Sequence, residues 1–262
     1  VSLAARFAGA GLDWIVPDWP AAPRVHAFFA TRRPGPGTAT PDLDLGPAQP
    51  DRAEARTRAA IEESRRRVGA FLPGRPVWLE QVHGNQVATV DAGTVEAFRA
   101  LPPLADAAVT RLPDVALAVR VADCLPVLLA DCEGSVVGAA HAGWRGLAAG
   151  VLEATVDAMA APPRTLVAWL GPGIGPRAFE VGDDVRDAFL ARDRAAAAHF
   201  RAHRHGRWLA DLPALARQRL ATLGVAEVRG GELCTHSDPA HFHSWRRDRT
   251  AARLGAFVWL AA

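Results

Sequence analysis

The apolar positions of this chain fall mostly into short runs separated by turn residues, with fewer stretches of helical period. VHAFFAT (25–31) alternates enough to be a strand. Short β-type runs then crowd the middle of the chain, at 76–83, 86–92, 105–110, 115–122, 126–131 and 135–143. In VALAVRV, Val115, Leu117, Val119 and Val121 share one face by period-2 spacing. Helical spacing predicts helices over 52–71, 146–161, 181–192 and 211–225, the last with Asp211 as its N-cap. Strands are also expected at 164–171, 226–234 and 254–262. RRPGPGTATPDLDLGPAQPD (32–51), rich in Pro and Gly, predicts a long loop, and GPGIGP (171–176) a tight one. The strands and helices interleave irregularly, with hairpin-length gaps in the middle. That pattern predicts one domain over 1–262, of α/β (α+β) class, built on a mixed sheet rather than a strict βαβ series.

Composition narrows the chemistry. A net charge of +2 predicts no electrostatic footprint for nucleic acid. All 30 basic residues are Arg, so a Schiff-base lysine, a pyridoxal anchor and a GKS-type P-loop are excluded. There is no Tyr to act as a phenolic acid, and no G-x-S-x-G elbow. Three cysteines, Cys124, Cys132 and Cys234, do not make a disulfide framework. No apolar run approaches the roughly 18 residues of a membrane span, and VSLAARFAGAGLDW is a poor signal peptide. The expectation is a reduced, cytoplasmic protein that binds small molecules, without a membrane partner, as a monomer or weak homodimer.

Three segments put metal-capable side chains after an apolar run and before a turn: QVHGN with His83, VADCLP with Cys124, and AAHAGWRG with His141. Two imidazoles and a thiolate suit Zn²⁺ with one position left open. To share the ion, their donor atoms must lie about 3.5 Å apart. Spacing alone also fits a buried free Cys with two backbone-bonded His, or a Cys–His nucleophilic pair.

Taken together and in order, WLEQVHGNQV, ADAAVT, VADCLPVLLAD, VVGAAHAGWRG, LGPGIGPRAFEVGDDV and CTHSDPAHFHSWRRD resemble the YfiH-type multicopper polyphenol oxidase (laccase-domain) family. Its members include purine nucleoside phosphorylases and a peptidoglycan editing factor. The resemblance runs from Phe29 to Leu260. It implies a mixed-sheet α/β sandwich of the YfiH type and a zinc held by His83, Cys124 and His141, with copper as the other metal to consider. It also implies phosphorolysis of adenosine, inosine and methylthioadenosine, with adenosine deamination beside it. The chain departs from the family pattern at Arg177 and Phe179 in GPRAFEVG, and at His236, His241 and His243.

Further residues complete the expected site. Arg145, at the start of the helix after His141, is the expected phosphate clamp, with Arg246, Arg247 and Arg32 as further candidates. Trp144 is the expected purine contact. Asp123 either orients a ligand or caps a turn, and Asp123 and Glu180 are the carboxylates considered for protonating a leaving base. His199 and His203, four apart, fit a solvated helix face, and Cys132 an inert turn. Cys234, His236, His241 and His243 could hold a second metal. Two other activities stay open: a Cys–His amidase on wall-precursor peptides with Cys124 as nucleophile, and a copper-dependent polyphenol oxidase drawing extra ligands from the His-rich C-terminal segment.

Overall fold

Most strands in the middle of the chain are buried on both faces, because they alternate between two different cores. In the computed structural model the described residues are 1–33, 35, 42–47 and 55–262. In chain order the elements are α1 (Leu3–Gly9), β1 (Val25–Ala30), α2 (Ala55–Gly69), β2 (Val87–Val90), α3 (Val95–Ala100), β3 (Ala107–Thr110), β4 (Leu117–Val121), β5 (Leu125–Asp131) and β6 (Val137–Ala142). There follow α4 (Trp144–Ala149), α5 (Val151–Met159), β7 (Leu166–Leu170), β8 (Glu180–Gly182) and α6 (Asp183–Leu190). The chain closes with β9 (Phe200–Arg204), β10 (Arg207–Ala210), α7 (Leu212–Leu223), β11 (Glu227–Gly230), α8 (Trp245–Asp248) and β12 (Leu254–Leu260).

Six strands form one mixed sheet in the order β11-β7-β5-β6-β3-β2, parallel at its two edges and antiparallel in the centre. Leu128, Ala130, Val137, Ala139, Val167 and Trp169 point from it into one core, shared with the antiparallel sheet β1-β12-β4. Leu125, Val127, Leu129, Ala140, Ala142 and Leu170 point the other way, onto α4, α5 and α7. Period-2 alternation with both faces apolar is what a central strand needs when each face is covered. Across the first core, Phe28 on β1 stacks on Phe257 of β12 with ring centroids 4.9 Å apart. The result is the expected α/β sandwich: sheet on sheet, with helices behind the larger one.

Several expectations need correction. The segment 76–83 is not a strand; among the described residues its β-pairing is limited to isolated bridges at Val77 and Glu80. The Glu80 N–H bonds Pro103 O within its bridge, and the amides of Val82, His83 and Gly84 are met by one carboxylate. The helix expected over 146–161 is two helices, α4 and α5, broken at Gly150 with φ +97°. HFRAHRHGRW is not a helix but the β9–β10 hairpin, turned at Gly206 with φ +63°. The loop expected over 32–51 falls largely outside the described residues, as does the start of the helix expected over 52–71. The Asp211 N-cap is present, accepting from Ala214 N–H at 2.9 Å. No helix among the described residues is long and apolar enough to cross a membrane.

The break at Gly150 gives a prediction. A non-glycine residue in the left-handed region costs about 1–2 kcal/mol, and a Cβ there meets the Arg192 guanidinium at 2.7 Å. Gly150→Ala should lower the unfolding free energy by about that amount, read as a lower urea midpoint with an unchanged m-value. An unchanged midpoint would mean that the two helices can join without cost.

Candidate metal centre

Cys124, His83 and His141 meet at the seam between the two sheets. His141 is the penultimate residue of β6, on the face directed to the sheet-on-sheet core, and is 3% exposed. Cys124 ends the tight β4–β5 connection, in which Asp123 adopts φ +86°. His83 sits in the irregular segment before β2, with φ +61° and its side chain at the surface. The three donor atoms lie within 4.8 Å of one another, and the Cys124 Sγ to His83 Nε2 distance is 3.8 Å. The set is looser than the roughly 3.5 Å spacing that a shared zinc requires. Among the described residues no other His, Cys, Asp and Glu group of this kind occurs.

Glycines make room for the trio. A Cβ on Gly143 would lie 2.8 Å from Cys124 Sγ and 3.3 Å from the His83 ring. A Cβ on Gly146 would lie 2.7 Å from the carbonyl of Gly84. HAGWRG therefore supplies clearance as well as a donor.

A fourth residue, Asp106 in ADAAVT, went unassigned in the sequence. It is fully buried. Its Oδ1 meets His141 Nδ1 at 2.8 Å and accepts from His83 N–H at 2.9 Å. Its Oδ2 accepts from Gly84 N–H at 2.7 Å and Val82 N–H at 3.2 Å. Burial pushes the carboxyl up, but His141 and the amides of Gly84 and Val82 outweigh it and hold it below its usual range. A lone Asp before an apolar strand carries no pattern that marks it; only the β3–β6 register places it beside His141.

The donors are electrostatically coupled. Burial raises the Cys124 thiol, yet the charge and hydrogen bonds of His141 and His83 bring it down to about 6. Burial lowers His141, yet the Cys124 thiolate and Asp106 bring it up to about 9. A preformed thiolate is the state that binds metal, and His141, its Nδ1–H taken by the carboxylate, can coordinate through Nε2 once that nitrogen gives up its proton. The donor set thus fits a divalent metal with an open side.

The trio opens into a cavity of about 900 Å³, within the range of small-molecule sites. Trp144, Phe179 and Trp245 are its aromatic rings. Arg120, Arg145, Arg246, Arg249 and Arg253 line it against Asp44, Glu80 and Asp123, so the lining favours an anionic ligand.

The other expected residues are distributed unequally. Arg145 lines the cavity, its guanidinium 4.5 Å from the Trp144 ring centre. Its helix, α4, has six residues, so the anion preference rests on the guanidinium rather than on a long helix dipole. Arg246 also lines the cavity, over Phe179, with Nη1 bound to Glu180 O. Asp123 accepts from Thr235 Oγ1 and from Arg246 N–H, both at 2.7 Å. Both its oxygens are engaged, and it caps α8 rather than presenting a proton. Glu180 lies outside the lining, in a 2.6 Å ion pair with Arg204 that lowers its pKa. Arg32 is likewise outside, bound to Asp42 and Pro239 O. Arg247 is taken up by Thr235 O, His236 O, Phe242 O and Asp248.

The second cluster does not assemble. His243 Nε2 binds Leu43 O, His241 pairs with Asp238, and Cys234 Sγ accepts from Gly175 N–H. His203 faces Glu180 at 3.5 Å, and Cys132 is exposed in its turn.

Residues 26–261 match the family model described as multi-copper polyphenol oxidoreductase laccase. A purine nucleoside phosphorylase of Pseudomonas aeruginosa is 49% identical over 249 residues, covering 94% of this chain and 98% of its own. Purine nucleoside phosphorylase YfiH of Escherichia coli is 47% identical over the same shares. Among solved structures, a Neisseria meningitidis protein superimposes with a TM-score of 0.85 at 40% identity, covering 95% of this chain and all of its own.

The coupled thiol leads to a test. In metal-stripped protein, alkylation of Cys124 followed by peptide mass spectrometry should rise with pH around a midpoint near 6. An ordinary free cysteine titrates near 8.5. Because the pKa is lowered, the thiolate persists down to that pH and is lost only below it. His141→Ala should move the midpoint upward. A wild-type midpoint above 8 would contradict the coupling.

Proposed function

The chain belongs to the multi-copper polyphenol oxidoreductase laccase family, and on that premise we propose that it is a zinc-dependent purine nucleoside phosphorylase. Its substrates are adenosine, inosine and methylthioadenosine, and adenosine deamination is a second reaction of the same site. The observation that carries this reading is the His83, Cys124 and His141 trio opening into an arginine-lined cavity with aromatic walls.

His83, Cys124 and His141 would hold the ion. When bound, zinc supplies Lewis acidity and a source of hydroxide near neutral pH. Arg145 grips phosphate, since a guanidinium offers two parallel donors to its oxygens. The rings of Trp144 and Phe179 receive the purine, with Arg246 stacked behind Phe179. Asp123 holds α8, and with it Arg246, against the turn that carries Cys124. A multicopper centre would need further His or Cys donors beside the trio, and among the described residues none gathers there.

One observation favours a second reading. Asp106, His141 and Cys124 stand in the order of an orienting acid, a base and a nucleophile. Without metal, that arrangement suits a Cys–His amidase acting on wall-precursor peptides.

Two outcomes follow. Purified protein should carry about one zinc per chain. Cys124→Ser and His141→Ala should lose most of it while remaining folded, whereas Cys132→Ala and His203→Ala should keep it. Full occupancy in Cys124→Ser would place the metal elsewhere.

Adenosine turnover should divide by its need for phosphate: adenine and ribose 1-phosphate with it, inosine without it. Removing one preorganised charge contact can cost on the order of 10² to 10³ in rate. Arg145→Ala should therefore depress adenine release far more than inosine formation, with zinc retained. If adenine release ignores phosphate, the phosphorylase reading fails. If peptide cleavage by metal-free protein exceeds nucleoside turnover by the zinc form, the amidase reading replaces it.

A further inference from the structure

The amides of Val82, His83 and Gly84 converge on the Asp106 carboxylate. Successive N–H groups around a left-handed residue form a concavity that binds an anion. Here the left-handed residue is His83, at φ +61°, a conformation that is uncommon for a non-glycine residue and persists only when its surroundings hold it. The anion is a side chain of the same protein, which also fixes His141 through Nδ1 at 2.8 Å. β3 and β6 set this pairing, since Asp106 O accepts the His141 amide at 2.7 Å one step from the Ala107–Ala140 pair. One carboxylate therefore governs the backbone of one donor residue and the ring orientation of another.

We propose that Asp106 is the positioning residue of the metal centre: its carboxylate keeps His83 in its strained conformation and aims His141 Nε2 at the shared ion. It does not touch the substrate. Its effect is on how tightly the trio takes metal, and this holds whichever reaction the site performs. Without the carboxylate, the amides of Val82, His83 and Gly84 lose their common acceptor, so His83 relaxes away from Cys124. In the same event His141 loses the partner that fixes its tautomer.

The fold contains a matched control. Asp131 at the end of β5 is also a buried carboxylate, accepting from Ser135 N–H, Ser135 Oγ and Val136 N–H in the turn to β6. It supports a turn, remote from the trio in its contacts. Asp106→Asn and Asp131→Asn each remove a buried charge from a set of amides, but only the first faces metal donors.

The experiment is zinc affinity by chelator competition, with thermal unfolding of the metal-free proteins measured in parallel. Loss of a partner that orients a metal ligand weakens binding by roughly 10- to 100-fold. Asp106→Asn should show that loss. Asp131→Asn should lower the unfolding temperature and keep zinc affinity within about twofold of wild type. If Asp106→Asn does not fold, Asp106→Glu, which keeps the charge but displaces the carboxylate by one methylene, should show a smaller loss in the same direction. Wild-type affinity in the folded Asp106 variant, or equal losses in the Asp106 and Asp131 variants, overturns the proposal. Wild-type protein that binds no zinc overturns both this proposal and the zinc assignment. Normal zinc effects without nucleoside turnover overturn only the proposed reaction.

Discussion

A buried negative charge has to be met by hydrogen-bond donors, and the way Asp106 is met organises this protein. An ionised carboxylate taken out of water loses several kcal/mol of solvation unless it is paired and hydrogen-bonded. Here four donors surround it, three from consecutive amides and one from an imidazole. The amides belong to a segment that has no ladder partner beyond two isolated bridges. That segment is therefore held by a side chain where a strand would be held by a sheet. A second side chain helps: Gln81 pairs through its amide with the backbone N–H and C=O of Arg120 on β4. The two attachments tie His83 to β3 on one side and to the strand leading into Cys124 on the other.

The rest of the site follows from where the sheets meet. β4 belongs to the smaller sheet and β5 to the larger, so the turn between them, which carries Cys124, crosses the seam. Asp123 can occupy that turn in a left-handed conformation because both its oxygens are bound, by Thr235 and by the amide of Arg246. The C-terminal segment is thereby anchored next to the thiol, bringing Arg246 to the cavity wall. Glycines at 143 and 146 let the start of α4 lie against Cys124 and Gly84. Arginines outnumber the acidic residues of the lining by five to three, and the thiolate is stabilised by its two imidazoles, so the groups that attract an anion and those that could hold a metal are different residues.

Much of this was legible in the sequence because it depends on alternation and on local chemistry. β1, β4 to β7 and β12 lie within runs whose apolar residues announce them. His83, Cys124 and His141 stand in segments whose apolar flanks and following turns mark strand ends, although placing them together needed the family resemblance. What escaped was set by long-range pairing. The run 76–83 has a strand's composition, but the amides at its end, those of Val82 and His83, are taken by Asp106, 23 positions on in the case of His83. Gly150 reads as a tolerated helix residue until its φ of +97° is seen. The His-rich stretch 199–208 has helical spacing, yet Gly206 turns it into a hairpin. Glu180 and Arg32 looked available because their partners, Arg204 and Asp42, are brought to them only by the fold.

His83, Cys124 and His141 are placed to share one ion. X-ray absorption at the zinc edge of the purified protein tests this sharing directly. A shared zinc gives a shell with one sulfur near 2.3 Å and two imidazole nitrogens near 2.1 Å, completed by a light atom. In Cys124→Ser protein loaded with zinc, the sulfur contribution should vanish. A shell without sulfur in the wild type, or one with two or more sulfurs, would contradict the sharing.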